Sequence, residues 1–450
     1  MRAVVTGTTV LSTLVRFWAS EVARLTDGRM LGDDVELDGV SFDSRNPGRG
    51  VLFVAVVGER DGHSFVGHAR ERGAHAALVS RVPDGDRGCL IVVDDTVAAF
   101  GRLAQGLRRE RLSHAMVIGI TGSVGKTSVK DLTAAALGAE GTYASPRSFN
   151  NDQGVPFTVI NAPSDTRNLI VEMGMRGLGE IERLCRIARP EIGVVTRVGE
   201  AHTERLGGLA GVAKAKGELV EALSADGVAV LNAEDPFVSA MADRTAASVI
   251  RYGNGGDIRM ANLDFDEFMC ARGTVHSPWG SADLRLQVPG EHMALNALAA
   301  VAVAGVITGD VGQAAANLSG AVIADQRLAL HRLPDGSILI DDSYNANPTS
   351  VEAALRTLAG MGGHRRLAIL GRMAEVADSA EAHQRMAALA KSLGVELIAA
   401  GTTLFGIQPV DDPVAEVRDR CRRHPGELSV LFKASRSEEF ERFVQPLLSE

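Results

Sequence analysis

The sequence predicts an α/β protein built on parallel sheets, and three observations carry that expectation. Short β-branched runs alternate along the chain with alanine- and leucine-rich stretches, the order that lays helices over a parallel sheet. The 49 glycines among 450 residues suit an architecture with many strand-to-helix turns. The polar groups that stand out, Thr121–Thr127, Glu172, Asp341–Asn347 and Lys433–Arg436, each follow an apolar run directly. In open α/β sheets, ligands gather at those carboxyl ends of strands.

Taken in order, the apolar runs predict strands at Leu52–Val57, Ala76–Val79, Leu90–Val93, Ala115–Ile120, Leu169–Val171, Ile192–Val195 and Val228–Leu231. Further on they predict strands at Ile338–Ile340, Leu367–Leu370, Glu396–Ala399 and Leu428–Phe432. Arg251–Pro289 alternates polar and apolar groups and reads as antiparallel strands. Asn296–Ile307 and the stretch from Ser350 through Leu358 read as helices. A basic polar stretch, Arg108–His114, and a break near Val322–Arg327 divide the chain into domains at residues 1–109, 110–323 and 324–450, each of ordinary domain size.

Bulk properties exclude several classes. A net charge of −9 disfavours nucleic acid as the main partner, since phosphate backbones are bound by basic surfaces. The four cysteines, Cys89, Cys185, Cys270 and Cys421, are scattered, without CxxC or zinc-finger spacing, so a disulfide or zinc scaffold is not expected and a reducing cytoplasm is. No apolar run of membrane-spanning length stands out. Met1–Trp18 is interrupted by Arg16 and lacks a small-residue cleavage site, so no signal peptide is expected.

Met116–Lys130 reads as a strand, a glycine loop and a helix start. Gly122 and Gly125 let the backbone curl so that N–H groups, including those of Ser123 and Ser128, face phosphate oxygens. Lys126 adds a charge for the terminal phosphates, and the Thr127 hydroxyl suits Mg²⁺. Ile120 stands where the longer phosphate-loop pattern has its first glycine, but the T-G-x-x-G-K-T spelling is specific. A chance turn with a surface lysine is the bland alternative, and the flanking strand and helix count against it.

Other candidates are weaker alone. Glu172 ends a strand but could be any exposed acid, and His202 sits in a polar turn. With Thr127 they supply oxygen and imidazole ligands for the metal that a nucleotide needs. Lys216 lies in a mixed-charge helix, where a solvated lysine paired with Glu218 is the ordinary expectation. Asp341-Asp-Ser-Tyr-Asn-Ala-Asn-Pro is a denser polar cluster than a turn requires, and beside a nucleotide it could hold ribose, phosphate or a second substrate.

With these pieces assembled, the chain resembles the Mur ligase family over nearly its whole length. The first domain contributes Asp43-Ser-Arg, Leu52-Phe-Val-Ala and Asp61-Gly-His-Ser-Phe. The second contributes Thr121–Thr127, Asn150-Asn-Asp-Gln-Gly-Val-Pro, Glu172-Met-Gly, Ala201-His, Ala215-Lys-Gly-Glu and Gly290-Glu-His-Met-Ala-Leu-Asn. Asp341–Pro348, Leu370-Gly-Arg-Met-Ala-Glu with His383, and Val430-Leu-Phe-Lys-Ala-Ser-Arg follow in the third.

The resemblance implies a three-domain ligase: a UDP-sugar domain, a central P-loop ATPase-like domain with a parallel sheet, and a Rossmann-like third domain for the amine. It implies ATP and Mg²⁺ as cofactors, with Lys126 on the phosphates and Thr127, Glu172 and His202 around the metal. Lys216 would be carbamylated by CO₂ and ligate a second Mg²⁺. Asn296, Arg327 and Asp341 would reach the nucleotide. Ser44, Arg45, Asn150, Asn151, Asp342, Tyr344, Asn345 and Asn347 would face the substrates.

The implied reaction phosphorylates a carboxylate and joins it to an amine, and within the family it is the addition of D-alanyl-D-alanine to UDP-N-acetylmuramoyl-tripeptide. The enzyme would be cytoplasmic and monomeric, with small-molecule partners and no membrane. Where family members have the loop G-S-N-G-K-T-T, this chain has Val124 and Ser128; Ser148, Arg197, Gln326, Arg372 and Ala434 are further departures. These leave open a relative that joins a different acid and amine in a specialised pathway. A nucleotide-binding switch or an inactive scaffold is the reading from another class.

Overall fold

The structure is a computed structural model that describes residues 16–449, apart from 87, 202, 322, 324, 325, 363, 364, 375, 377 and 378. His202 and most of the Met1–Trp18 segment therefore lie outside the described residues. By compactness the chain forms two units. One holds residues through 119 with 139–173 and 182–191; the other holds 120–138, 174–181 and 192 onward.

The first unit carries a five-stranded sheet in the order Arg29–Leu31, Cys89–Val92, Ala76–Val79, Leu52–Val54, Val40–Ser41. The Arg29–Leu31 edge is antiparallel and the other pairings are parallel. The expected strand over Leu52–Val57 stops at Val54, and Val56 N–H turns back to the carbonyl of Val54. Helix Thr96–Arg111 starts where the Asp95 carboxylate accepts the N–H groups of Val97 and Ala98, satisfying donors that have no partner within the helix. It buries Phe100, Leu103 and Leu107, each worth about 1.5–3 kcal/mol when fully buried. In the same unit Thr142–Ala144 pairs in parallel with Asn168–Glu172. Phe42, Phe149 and Phe157 meet with ring centroids 5.2–5.6 Å apart, a spacing at which tilted and edge-on aromatic pairs attract.

In the second unit Ile192–Val195, Val228–Asn232 and Ser248–Tyr252 form a parallel ladder. The expected antiparallel segment is a three-stranded sheet, Arg259–Phe265, Cys270–Ser277 and Gly280–Pro289. Helix Glu291–Thr308 reaches 18 residues and is apolar enough to cross a membrane, a run that the sequence expectation passed over. Most of it is buried, from Met293 through Gly305, so in this fold it is a core helix. A second five-stranded sheet follows in the order Ala329–Arg332, Ile338–Asp341, Leu428–Lys433, Arg365–Leu370, Glu396–Ala399. Two of its parallel strands, Ile338–Asp341 and Leu428–Lys433, are wholly buried, as expected where a sheet is covered on both faces. Glu172, Asp341 and Lys433 are each the last residue of their strand.

Candidate active site

The glycine loop is shaped by two backbone conformations that a side chain would obstruct. Gly122 has φ +155°, and a Cβ there would stand 1.8 Å from the Thr196 hydroxyl oxygen. Gly125 has φ +83°, and its Cβ would stand 2.9 Å from Asn296 Oδ1. Both φ values lie where side chains are rarely found. Thr196 fixes the loop from outside by donating its hydroxyl to the Val124 carbonyl at 2.5 Å. The Ser123 N–H donates to the Arg197 carbonyl at 2.7 Å, and its hydroxyl donates to Gly199 O and accepts from Gly199 N–H at 2.9 Å. Ser123, expected on the nucleotide, therefore already braces the loop.

Helix Lys126–Leu137 begins at this loop with Gly125 as its cap, so its first-turn N–H groups and positive dipole end face the loop. Lys126 Nζ donates to the Gly122 carbonyl at 2.8 Å. Thr127 and Ser128 are buried, and Arg327 Nη2 donates to Thr127 Oγ1 at 3.2 Å. Asn296 is buried beside Gly125. Lys126, Thr127, Asn296 and Arg327 are thus brought together at one loop.

Lys216 departs from the ordinary expectation. It lies on helix Leu209–Glu221 and is 2% exposed, not a solvated lysine. Glu218, its expected partner, accepts the Gly179 N–H at 2.7 Å. Burial, with the charge of Lys126 adding to it, holds the Lys216 amine well below the usual lysine range, because a low-dielectric interior disfavours the charged form.

The acidic loop is also largely internal. Asp341 accepts the N–H of Ser343 at 3.0 Å and its hydroxyl as well, and burial raises its carboxyl above the usual range. Asp342 is ion-paired with Lys433, whose Nζ also donates to the Asn345 carbonyl at 2.9 Å. Burial pushes Asp342 up and Lys433 down, and each partner's charge opposes that shift in the other. Desolvation, with Lys433 and Arg197 contributing, pulls the His292 imidazole down to about 4. Asn347 caps helix Pro348–Gly360, its Oδ1 accepting the Ser350 N–H at 2.9 Å. Lys433 was legible from its place after an apolar run and from the family signature, and neither gave a sign of its pairing with Asp342.

In the first unit, Glu172 is 1% exposed and accepts Asn150 Nδ2 at 2.8 Å. Just before helix Gly154–Ile160, Asn151 Oδ1 accepts the N–H groups of Gln153 at 3.1 Å and Gly154 at 2.9 Å. Arg45 is largely exposed and grips Asp43 with two nitrogens, at 2.9 and 2.8 Å. The Ser44 hydroxyl lies 3.3 Å from His68 Nδ1. Among the described residues, no group of three His, Cys, Asp or Glu converges on a metal position.

A strand leading into a glycine loop, with the lysine, the buried threonine and a guanidinium on that loop, defines a phosphate-binding enzyme centre, and comparison with known proteins gives its class. Residues 120–304 match the Mur ligase middle domain and residues 326–448 the Mur ligase glutamate ligase domain. The chain belongs to the Mur ligase family and is an ATP-dependent ligase. It is 40% identical over 394 residues to a UDP-N-acetylmuramoyl-tripeptide–D-alanyl-D-alanine ligase of Mycobacterium bovis, covering 81% of this chain and 77% of the relative. The Escherichia coli ligase of the same name is 38% identical, covering 84% of each chain. Among solved structures, MurF from Acinetobacter baumannii superposes with a TM-score of 0.86 at 27% identity, covering 97% of this chain and all of that one.

Proposed function

We propose that this chain adds D-alanyl-D-alanine to the terminal carboxylate of UDP-N-acetylmuramoyl-tripeptide, with ATP as phosphoryl donor, in the cytoplasm. The observation that carries the reading is the glycine loop with Lys126, Thr127 and Arg327 at one place, beside the Asp341–Asn347 loop of the same unit. A substrate carboxylate oxygen attacks the γ-phosphorus, ADP leaves, and an acyl phosphate forms. The neutral amine then attacks the acyl carbon, a proton is lost, and phosphate departs. Lys126 and Arg327 offset the charge that builds on the phosphoryl oxygens.

Mg²⁺ would supply further charge neutralisation at the phosphates. Thr127 provides a hydroxyl on the loop itself; Glu172 and His202 are proposed as its other ligands on family likeness alone. The Lys216 amine is buried where its charged form is disfavoured, which favours the nucleophilic free amine that adds CO₂ to give a carbamate and a proton. That would turn a cation into a carboxylate-like metal ligand. Asn296 is proposed at the adenine and Asp341 at the nucleotide. Asn345 with Asp342 is proposed at the amine, and Ser44 and Arg45 at the acid substrate.

Phosphate release tests this reading. With ATP, the tripeptide acid and D-alanyl-D-alanine, release should be rapid and should stop when the amine is omitted. Equal release without the amine would indicate a nucleotide switch. Release with another acid–amine pair alone would favour the specialised ligase.

A further inference from the structure

Tyr344, expected on the amine substrate, has its ring occupied. The Arg327 guanidinium carbon lies 4.1 Å from the ring centroid, and that of Arg436 lies 5.9 Å away. Both distances are within reach of a cation–π attraction, which is strong for a planar guanidinium on an aromatic face. Arg436 is itself tied to Glu441 at 2.6 Å.

The backbone around Arg327 is equally constrained. Gln326 and Leu328, on either side of it, have φ +66° and +54°, a left-handed conformation that costs energy in residues with a Cβ. The Tyr344 N–H donates to the Gln326 carbonyl at 3.3 Å, so the two loops are joined by main chain as well as by the ring. At the other end of the side chain, Arg327 Nη2 reaches Thr127 Oγ1 at 3.2 Å.

We propose that Tyr344 is a positioning residue: its ring and main chain hold Arg327 in the rotamer that puts a guanidinium nitrogen on the phosphate loop. Arginine has many rotamers to lose, and a ring under its plane removes most of that freedom before nucleotide arrives. Tyr344 then acts on the triphosphate through Arg327, and it joins the nucleotide end of the centre to the loop that carries Asn345 and Asn347. This inference rests on the ligase reading above but concerns a separate step, nucleotide binding.

The test is a double-mutant cycle on the full chain, read by calorimetric binding of Mg·ATP, which needs neither acid nor amine. Tyr344→Leu should weaken ATP binding about fivefold to tenfold, and Arg327→Ala at least as much. Leucine at position 344 should then change binding less than twofold in the Arg327→Ala background. Tyr344→Phe, which keeps the ring, should recover most of the affinity that leucine loses. Tyr344→Met is measured in parallel so that one poorly folded variant does not decide the result, and thermal melts accompany each.

Equal losses from Tyr344→Leu in both backgrounds, or a phenylalanine variant as weak as the leucine one, would overturn the inference. So would an unchanged ATP affinity with a raised KM for the amine, which would return Tyr344 to the amine subsite. A non-additive cycle together with a wild-type protein that forms no amide would overturn the ligase reading and leave the coupling of Tyr344 to Arg327 standing.

Discussion

Replacing Gly122 with alanine tests how tightly the loop is held. The new methyl carbon would sit 1.8 Å from Thr196 Oγ1 and 3.1 Å from Thr196 Cβ, so the hydroxyl must move. Moving it breaks the 2.5 Å bond to the Val124 carbonyl, a loss of about 1 kcal/mol. The φ of +155° adds about 1–3 kcal/mol for a residue with a Cβ. Together these predict a loss of roughly 2–4 kcal/mol, read as a lower urea midpoint at unchanged slope, with ADP binding weakened as the loop is displaced. Adding Thr196→Ala should relieve the clash and recover part of the stability, because the contacts that remain, Thr196 Cβ at 3.1 Å and Arg197 N at 3.2 Å, are far less severe. A Gly122→Ala protein with wild-type midpoint and ADP affinity would refute the claim that this glycine is required by its neighbours.

Two further perturbations follow from the buried charges. Lys216 in its unmodified form has a folded-state pKa held below its unfolded value of about 10.4, so between the two the unfolded chain binds more protons and stability rises with pH. Lys216→Met should therefore gain most at pH 7 and progressively less toward pH 10, while turnover is abolished; parallel unfolding curves for both proteins at all pH values would contradict this. Asp342→Ala leaves Lys433, 2% exposed, without its carboxylate partner, and should cost about 3–5 kcal/mol in urea unfolding; a loss under about 1 kcal/mol would mean the pair is solvated.

Local pattern told most of the fold and the loop, and told little about long-range pairing. Every apolar run named from the sequence is a strand, because buried parallel strands read as continuous β-branched segments. The strands that were not anticipated, such as Glu36–Asp38, Thr142–Ala144 and Ala329–Arg332, are short and polar or partly exposed, so nothing in their composition separates them from turns. Gly122 and Gly125 were legible because glycine chemistry is local.

The bonds of Ser123 to Gly199 and of Lys433 to Asp342 join residues far apart in sequence, and no spacing rule reaches them. Asn151 and Asn347 show the opposite difficulty. Both were read as substrate contacts, and each side chain also bonds the backbone at a helix start: Asn151 Oδ1 accepts the Gly154 N–H, and Asn347 caps helix Pro348–Gly360. The Asn-Pro start of the second helix is a local signal for that role. Gln326, noted as a departure from the family pattern, has φ +66°, a conformation that glycine adopts more readily than glutamine.

Oxygen transfer tests the phosphorylated-acid chemistry most directly. The tripeptide acid, labelled with ¹⁸O in its terminal carboxylate, is incubated with ATP, Mg²⁺, D-alanyl-D-alanine and the protein, and the inorganic phosphate is examined by mass. An acyl phosphate requires one labelled oxygen in each phosphate released, together with an amide product lacking that atom. Unlabelled phosphate alongside ATP consumption would mean that water, not the carboxylate, takes the phosphoryl group.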